Sequence, residues 1–198
     1  MFEILKKLLM EPTAALNEAK KKKDMKVTAS VLVISWLLIG IGIAIAPLST
    51  STAVGGLIIG TVAAVMFVFG ILASVFLGFV LKQLMGALGG NGDYFEGLTV
   101  FSYMIFPLSV GLLISSVFSR IPILGGLLIF VTIVITAAMS LGLLFRSVKE
   151  LFKVDMITAW IGISLLILVM VLAMWITAGF TIGTNLSALS SLFTTPTV

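Results

Sequence analysis

The stretch that decides the fold class is residues 121–145, which read IPILGGLLIFVTIVITAAMSLGLLF without one charged side chain. It is longer than the roughly 20 apolar residues that a helix needs to cross the hydrocarbon core of a bilayer. It lacks the apolar–polar alternation of a strand in a membrane β-barrel. The stretch therefore predicts a membrane-spanning α-helix.

Similar apolar stretches occur on both sides of this one, separated by short polar segments. The chain has 198 residues, of which 60% are hydrophobic and 10% charged, whereas soluble domains average about 25% charged residues. We therefore predict an all-α polytopic membrane protein, a five-transmembrane-helix bundle with a short amphipathic cytoplasmic N-terminal segment. The predicted parts are the segment 1–26, the membrane domain 27–182 with spans 27–46, 53–81, 97–118, 121–145 and 156–182, and an outer-face tail 183–198.

The composition excludes several kinds of chemistry. The chain has no cysteine and no histidine, so it lacks thiol nucleophiles, cysteine zinc sites and the commonest general base. No ionisable residue lies in the middle of a predicted span, although ion-coupled transporters usually keep such residues there. We expect a protein that is not an enzyme and that has no cofactor or metal. A small transporter or channel for a neutral solute is the alternative, with rows of Ser and Thr as its polar path.

The basic residues predict the orientation. Eleven of the 12 lie before the first span, after the second, or between the fourth and fifth, and only Arg120 lies on the other side. The positive-inside rule places the eleven in the cytoplasm. We therefore expect an integral protein of the cell membrane with a cytoplasmic N-terminus and an external C-terminus. Because most of the charge is beside a span, it favours anionic lipid over nucleic acid as its partner.

The N-terminal segment has the pattern of a membrane-surface helix. In residues 2–10, apolar side chains repeat at helical spacing, with charged ones opposite, which predicts a short helix in the interface. A run of four lysines follows, and each adds about 1 kcal/mol of attraction to an anionic surface. The predicted contacts to lipid headgroups are Lys20, Lys21, Lys22 and Lys23.

Local signals predict where the helices end. Gly89-Gly90 predicts a C-cap for a second helix that continues past its span. Asp93, with Glu96 three residues later, predicts a capping box for the third helix, and Asp155 predicts the cap of the fifth. Pro107 lies inside the third span, where it removes a backbone hydrogen bond and predicts a helix kink.

Rows of small residues line faces of the second span. Gly56 and Gly60 are four residues apart, as are Gly70, Ser74 and Gly78, and this spacing allows helices to approach closely. Two interpretations remain open: packing within the bundle, and association of two copies into a homo-oligomer.

A partner-binding face is predicted on the cytoplasmic side. Short outer connections force neighbouring helices to pack antiparallel, which brings together residues 1–26, 82–96 and 146–155. Aromatic side chains beside a glycine-rich turn are favoured anchors at protein interfaces. The alternative is that the rings of Tyr94 and Phe95 sit in the headgroup layer as a membrane anchor. The predicted partner-binding residues are Tyr94, Phe95, Asp93, Glu96, Arg146 and Lys149.

Two stretches resemble a known family. One is Gly89-Gly90-Asn91-Gly92-Asp93-Tyr94-Phe95, followed by Phe101-Ser102-Tyr103 and Pro107; the other runs from Gly125-Gly126 to Leu143-Leu144-Phe145-Arg146-Ser147-Val148-Lys149-Glu150. Over roughly residues 10–182 the chain resembles the Yip family, the Ypt/Rab-interacting membrane proteins. The resemblance implies an integral membrane protein without enzymatic chemistry that acts as a membrane-organising or partner-binding scaffold.

The resemblance is to one branch of this family. Eukaryotic members act in vesicle traffic and contact Rab-type GTPases. This chain lacks their long N-terminal domain and their Asp-Leu-Tyr-Gly-Pro type motif, so it is similar to the short prokaryotic members.

Overall fold

A computed structural model describes residues 2–45, 53–172 and 175 of the chain. The described residues form seven α-helices. They are α1 (Phe2–Met10), α2 (Pro12–Lys22), α3 (Met25–Ile45), α4 (Ala53–Ala87), α5 (Tyr94–Phe118), α6 (Gly125–Phe152) and α7 (Met156–Leu172).

Four of these helices are long and apolar enough to cross a membrane: Met25–Ile45, Ile58–Ala87, Tyr94–Phe118 and Gly125–Phe152. Helix α7 is apolar but shorter, and apart from Trp175 the rest of the predicted span 156–182 lies outside the described residues. The all-helical architecture with long apolar helices is therefore confirmed, while the count of five spans stays a prediction. The predicted tail 183–198 also lies outside the described residues.

Helix α5 is the central helix of the bundle. Helices α3, α4 and α6 all pack against it. In the most apolar 18-residue stretch of α5, 67% of the residues are buried, whereas the corresponding share in α6 is 17%. Many of its buried residues are small or hydroxylated, including Gly97, Thr99, Ser102 and Gly111. Small side chains at a helix interface let neighbouring backbones come close, which is why one helix accommodates three neighbours.

The small-residue face of α4 packs inside the bundle. The indole Nε1 of Trp36 donates to Ser74 Oγ at 3.0 Å, and a Cβ added at Gly70 would lie 2.2 Å from the Trp36 ring. A Cβ added at Gly97 would lie 2.2 Å from the carbonyl oxygen of Gly78. Packing within the bundle thus accounts for Gly70, Ser74 and Gly78, whereas a Cβ at Gly60 would meet nothing within 4 Å.

The ends of α4, α5 and α7 follow the local signals. Gly89 has a φ of 85°, and the N–H of Gly90 donates to the carbonyl of Met85 at 2.8 Å, which is the Schellman arrangement. The N–H of Asp93 donates to Glu96 Oε2 at 2.9 Å within a capping box. Asp155 Oδ2 accepts from the N–H of Ile157 at 3.0 Å. The three predicted caps are confirmed.

Helix α6 begins later than the predicted span 121–145. Residues 119–124 form a turn, and the first helical residue is Gly125. Pro122 disfavours the helical conformation at the residue before it, and Ile123 has a φ of 68°. At the other end, α6 continues to Phe152, so it projects beyond its uncharged stretch.

Hydroxyl groups on α5 and α6 bond mostly to backbone carbonyls. Ser102 donates to Leu98 at 2.8 Å, Ser116 to Leu112 at 2.8 Å, and Thr136 to Thr132 at 2.8 Å. Such back-bonding satisfies a hydroxyl inside an apolar bundle. Helix α5 also runs without a break through buried Pro107, where the kink stays a prediction.

Candidate functional site

The charged groups gather at one end of the bundle. At this end α4 and α6 finish, α3, α5 and α7 begin, and α1 and α2 pack on the outside. All 20 charged side chains lie here except Arg120, whose guanidinium donates to the carbonyl of Ile45 at 3.0 Å near the opposite end. We call this region the charged end; it contains every predicted site residue except Pro107.

Helices α1 and α2 dock on the charged end through apolar side chains. Leu8 and Leu16 are 0% and 1% exposed and join a core that includes Val148 and Phe152 of α6. Each fully buried leucine contributes about 2 kcal/mol. The sequence predicted that the apolar face of α1 lies in the membrane interface, whereas in the structure Leu8 packs against protein.

A charged cluster joins α1 to α2. Glu18 accepts from Lys22 Nζ at 2.7 Å and from Lys7 Nζ at 2.9 Å. These hydrogen bonds hold the pKa of Glu18 down at about 2 and raise the pKa of Lys7. Because the folded-state pKa is depressed, the contribution of Glu18 to stability is present above its ordinary pKa of 4.5 and is lost as the pH falls toward 2. The cluster is therefore intact at neutral pH.

Lys23 connects the N-terminal helices to α5. Its Nζ lies 2.7 Å from Glu96 Oε1 and 3.7 Å from Asp93 Oδ2, and the Glu96 side chain is only 7% exposed. The bond to Glu96 raises the pKa of Lys23. The Glu96 carboxylate thus has two roles: Oε1 pairs with Lys23, and Oε2 accepts from the N–H of Asp93 and caps α5. Lys22 pairs with Glu18, while Lys20 and Lys21 are exposed.

The glycine-rich loop, residues 88–93, is bonded to the end of α6. The N–H of Asn91 donates to the carbonyl of Phe152 at 3.0 Å. A Cβ at Gly92 would lie 2.3 Å from the Phe152 ring, and one at Gly90 would lie 3.1 Å from Val154 Cγ1. The glycines therefore allow the loop to lie directly on the junction between α6 and α7.

The two predicted anchor aromatics differ in their surroundings. Tyr94 is partly buried, packs on the cluster of Leu32 and Leu98, and donates its hydroxyl to the carbonyl of Val75 at 3.3 Å. Phe95 is also partly buried. Tyr94 therefore contributes to the packing of the bundle in addition to having an exposed part.

Arg146 and Lys149 line a groove of their own. The groove lies between the end of α6 and the start of α7, whereas the loop contacts α6 at Phe152. Arg146 Nε lies 3.5 Å from Glu150 Oε1. The structure thus brings Tyr94, Phe95, Asp93 and Glu96 together with Lys23, and it places Arg146 and Lys149 at a second site.

Two elements of the site were not identified from the sequence. One is the pairing of Lys23 with Glu96, and the other is the wall that Trp160 of α7 forms beside Phe145, with ring centroids 4.4 Å apart. The only sequence signal for the pairing of Lys23 with Glu96 is the excess of lysines in the N-terminal segment, together with a carboxylate that is predicted to cap α5. Among the described residues, no group of three or more Asp or Glu side chains could hold a metal ion.

The family model of the Yip1 domain matches residues 6–177 of the chain. Neither the curated proteins nor the solved structures contain a match. The matched range takes in the described parts of all four candidate spans, the glycine-rich loop and the α6–α7 junction. The family resemblance predicted from the sequence is thereby confirmed: the chain is an integral membrane protein of the Yip family.

Proposed function

We propose that this protein is a non-enzymatic scaffold that binds a protein partner through the loop side of its charged end. The binding face would consist of Phe95 and the outer edge of Tyr94, flanked by Asp93 and the exposed lysines of α2. The observation that carries this proposal is the rigid mounting of two partly exposed aromatic rings. They follow a loop that is hydrogen-bonded to α6 and a cap that is paired with Lys23.

Rigid mounting matters because binding costs less when the interface is ordered beforehand. Aromatic side chains supply a large contact area with few rotatable bonds, and they are enriched among residues that dominate binding energy. The surrounding charges favour a partner of mixed charge over a strongly acidic or basic one. Asp93 is largely exposed, with 84% of its side chain accessible.

Replacing Phe95 with alanine should reduce partner capture about tenfold or more, the effect typical of a dominant interface aromatic. The measurement is recovery of cross-linked partners from native membranes that express tagged protein. The melting temperature of the Phe95→Ala protein is the control for folding. Undiminished capture by the Phe95→Ala protein, with an unchanged melting temperature, would remove this face from the functional account.

We also propose that the charged end faces the cytoplasm in the cell membrane. The positive-inside rule supports this orientation. Because the chain has no cysteine, single cysteines at Asn91, Lys21 and Ile123 give an unambiguous test. Ile123, 100% exposed at the opposite end, should be labelled from outside intact cells by a charged maleimide, and the other two only after permeabilisation. The reverse pattern would contradict the orientation.

A further inference from the structure

A groove of about 460 Å³ runs between the end of α6 and the start of α7. One wall is formed by Gly142 and Phe145 of α6, and the other by Met156, Ala159 and Trp160 of α7. The Phe145 and Trp160 rings lie 4.4 Å apart and are tilted by 35°. The interior is therefore apolar and aromatic, and its volume is that of a small-molecule site.

The rim of the groove carries an excess of positive charge. Arg146, Lys149 and Glu150 line this edge. Arg146 approaches Glu150 through Nε at 3.5 Å, and Arg146 is exposed. Lys149 is exposed and has no ion pair among the same residues. Two cations against one carboxylate make the rim complementary to an anion.

The groove lies where the uncharged part of α6 gives way to its charged last turns. Residues 123–145 carry no charge, and the cations begin at Arg146. If the uncharged part of α6 spans the hydrocarbon core, the apolar part of the groove is level with the acyl chains and the rim with the headgroups. Trp160 is 54% exposed on this boundary, as is typical of interfacial tryptophans.

We propose that this groove binds an anionic phospholipid, with an acyl chain against Phe145 and Trp160 and the phosphate at Arg146 and Lys149. A guanidinium presents paired N–H donors that match phosphate oxygens. Basic pockets between membrane helices on one side of a bilayer are typical sites for anionic headgroups. A partner helix fits the groove less well, because the lining extends over only about two turns of α6. The site is independent of the proposed protein-binding face.

Trp160 reports on the site directly. The full-length protein is reconstituted in phosphatidylcholine vesicles containing phosphatidylglycerol, with brominated acyl chains on one lipid or the other. The quenching of Trp160 is obtained as the difference between the protein and its Trp160→Phe variant. We expect brominated phosphatidylglycerol to quench Trp160 more strongly than brominated phosphatidylcholine at the same mole fraction.

Removing the rim cations should abolish this preference. In Arg146→Gln/Lys149→Gln, the relative association of phosphatidylglycerol should fall tenfold or more, since each cation near an anionic headgroup contributes about 1 kcal/mol. Lys6→Gln/Lys26→Gln removes the same charge from exposed positions of α1 and α3 and should leave the preference unchanged. Glu150→Gln should strengthen it.

Filling the groove tests the apolar half. A Cβ at Gly142 meets nothing within 4 Å, and the same is true of Gly126 at the far end of α6. Gly142→Leu should reduce quenching by both lipids with little effect on folding, and Gly126→Leu should leave quenching unchanged. The proposal is overturned if the lipid preference survives in Arg146→Gln/Lys149→Gln, or falls equally in Lys6→Gln/Lys26→Gln. It is also overturned if cross-linking shows a second copy in the groove.

Discussion

Gly97→Ala should lower the melting temperature of the detergent-solubilised protein by roughly 6–12 °C. The added methyl group would lie 2.2 Å from the carbonyl oxygen of Gly78, so α4 and α5 must move apart. Forcing a side chain into a filled core costs about 3 kcal/mol, and each kcal/mol shifts the midpoint of a domain of this size by about 2–4 °C. The measurement is thermal unfolding followed by light scattering or intrinsic fluorescence.

Gly86→Ala is the matched control, because it adds the same methyl group to α4 where nothing lies within 4 Å. Alanine is the better helix former by up to about 1 kcal/mol, so this variant should melt at or slightly above the temperature of the unmodified protein. Equal midpoints for the two variants would contradict the close crossing of α4 and α5.

Lys23→Glu should loosen the docking of α1 and α2, and amide exchange in α2 and the first turn of α5 should become roughly tenfold faster. The substitution leaves the carboxylate of Glu96 buried without its cation and adds a third negative charge beside Asp93. An uncompensated buried charge is strongly destabilising, and the opening it causes is local. Hydrogen–deuterium exchange with mass spectrometry measures the change peptide by peptide.

Two comparisons separate this effect from a general change of charge. Lys21→Glu makes the same substitution at an exposed position of α2 and should leave exchange nearly unchanged. Lys23→Glu/Glu96→Gln removes the repulsion, while glutamine keeps the capping bond, and it should restore most of the protection. Faster exchange of similar size in Lys21→Glu would show that the pair with Glu96 has no special role.

The parts of this fold that follow from neighbouring residues were predictable. The Schellman turn at Gly89 and the caps at Asp93 and Asp155 each depend on side chains within a few positions of one another. The start of α6 was placed too early, because an apolar pattern continues through Pro122 and Ile123 although the backbone there is not helical. The pattern of apolar residues shows which residues avoid water, but it does not show where the backbone turns.

The parts that depend on distant residues were not predictable. The row of Gly70, Ser74 and Gly78 was visible in the sequence, but nothing in it identifies Trp36 and Gly97 as the groups it contacts. The groove that Arg146 and Lys149 line with Trp160 depends on how α7 lies beside α6, which no local pattern encodes.

The double role of Glu96 sets an order of assembly during synthesis. Residues 2–23 leave the ribosome long before Glu96, and their docking surface on α5 and α6 is made later still. Until then, Leu8 and Leu16 have no protein to pack against, and an amphipathic segment in that condition binds at a membrane surface. We therefore expect the N-terminal helices to bind at the bilayer surface while the spans insert, and to dock on the bundle afterwards. A lipid-bound intermediate is the expected consequence for the biogenesis of this chain.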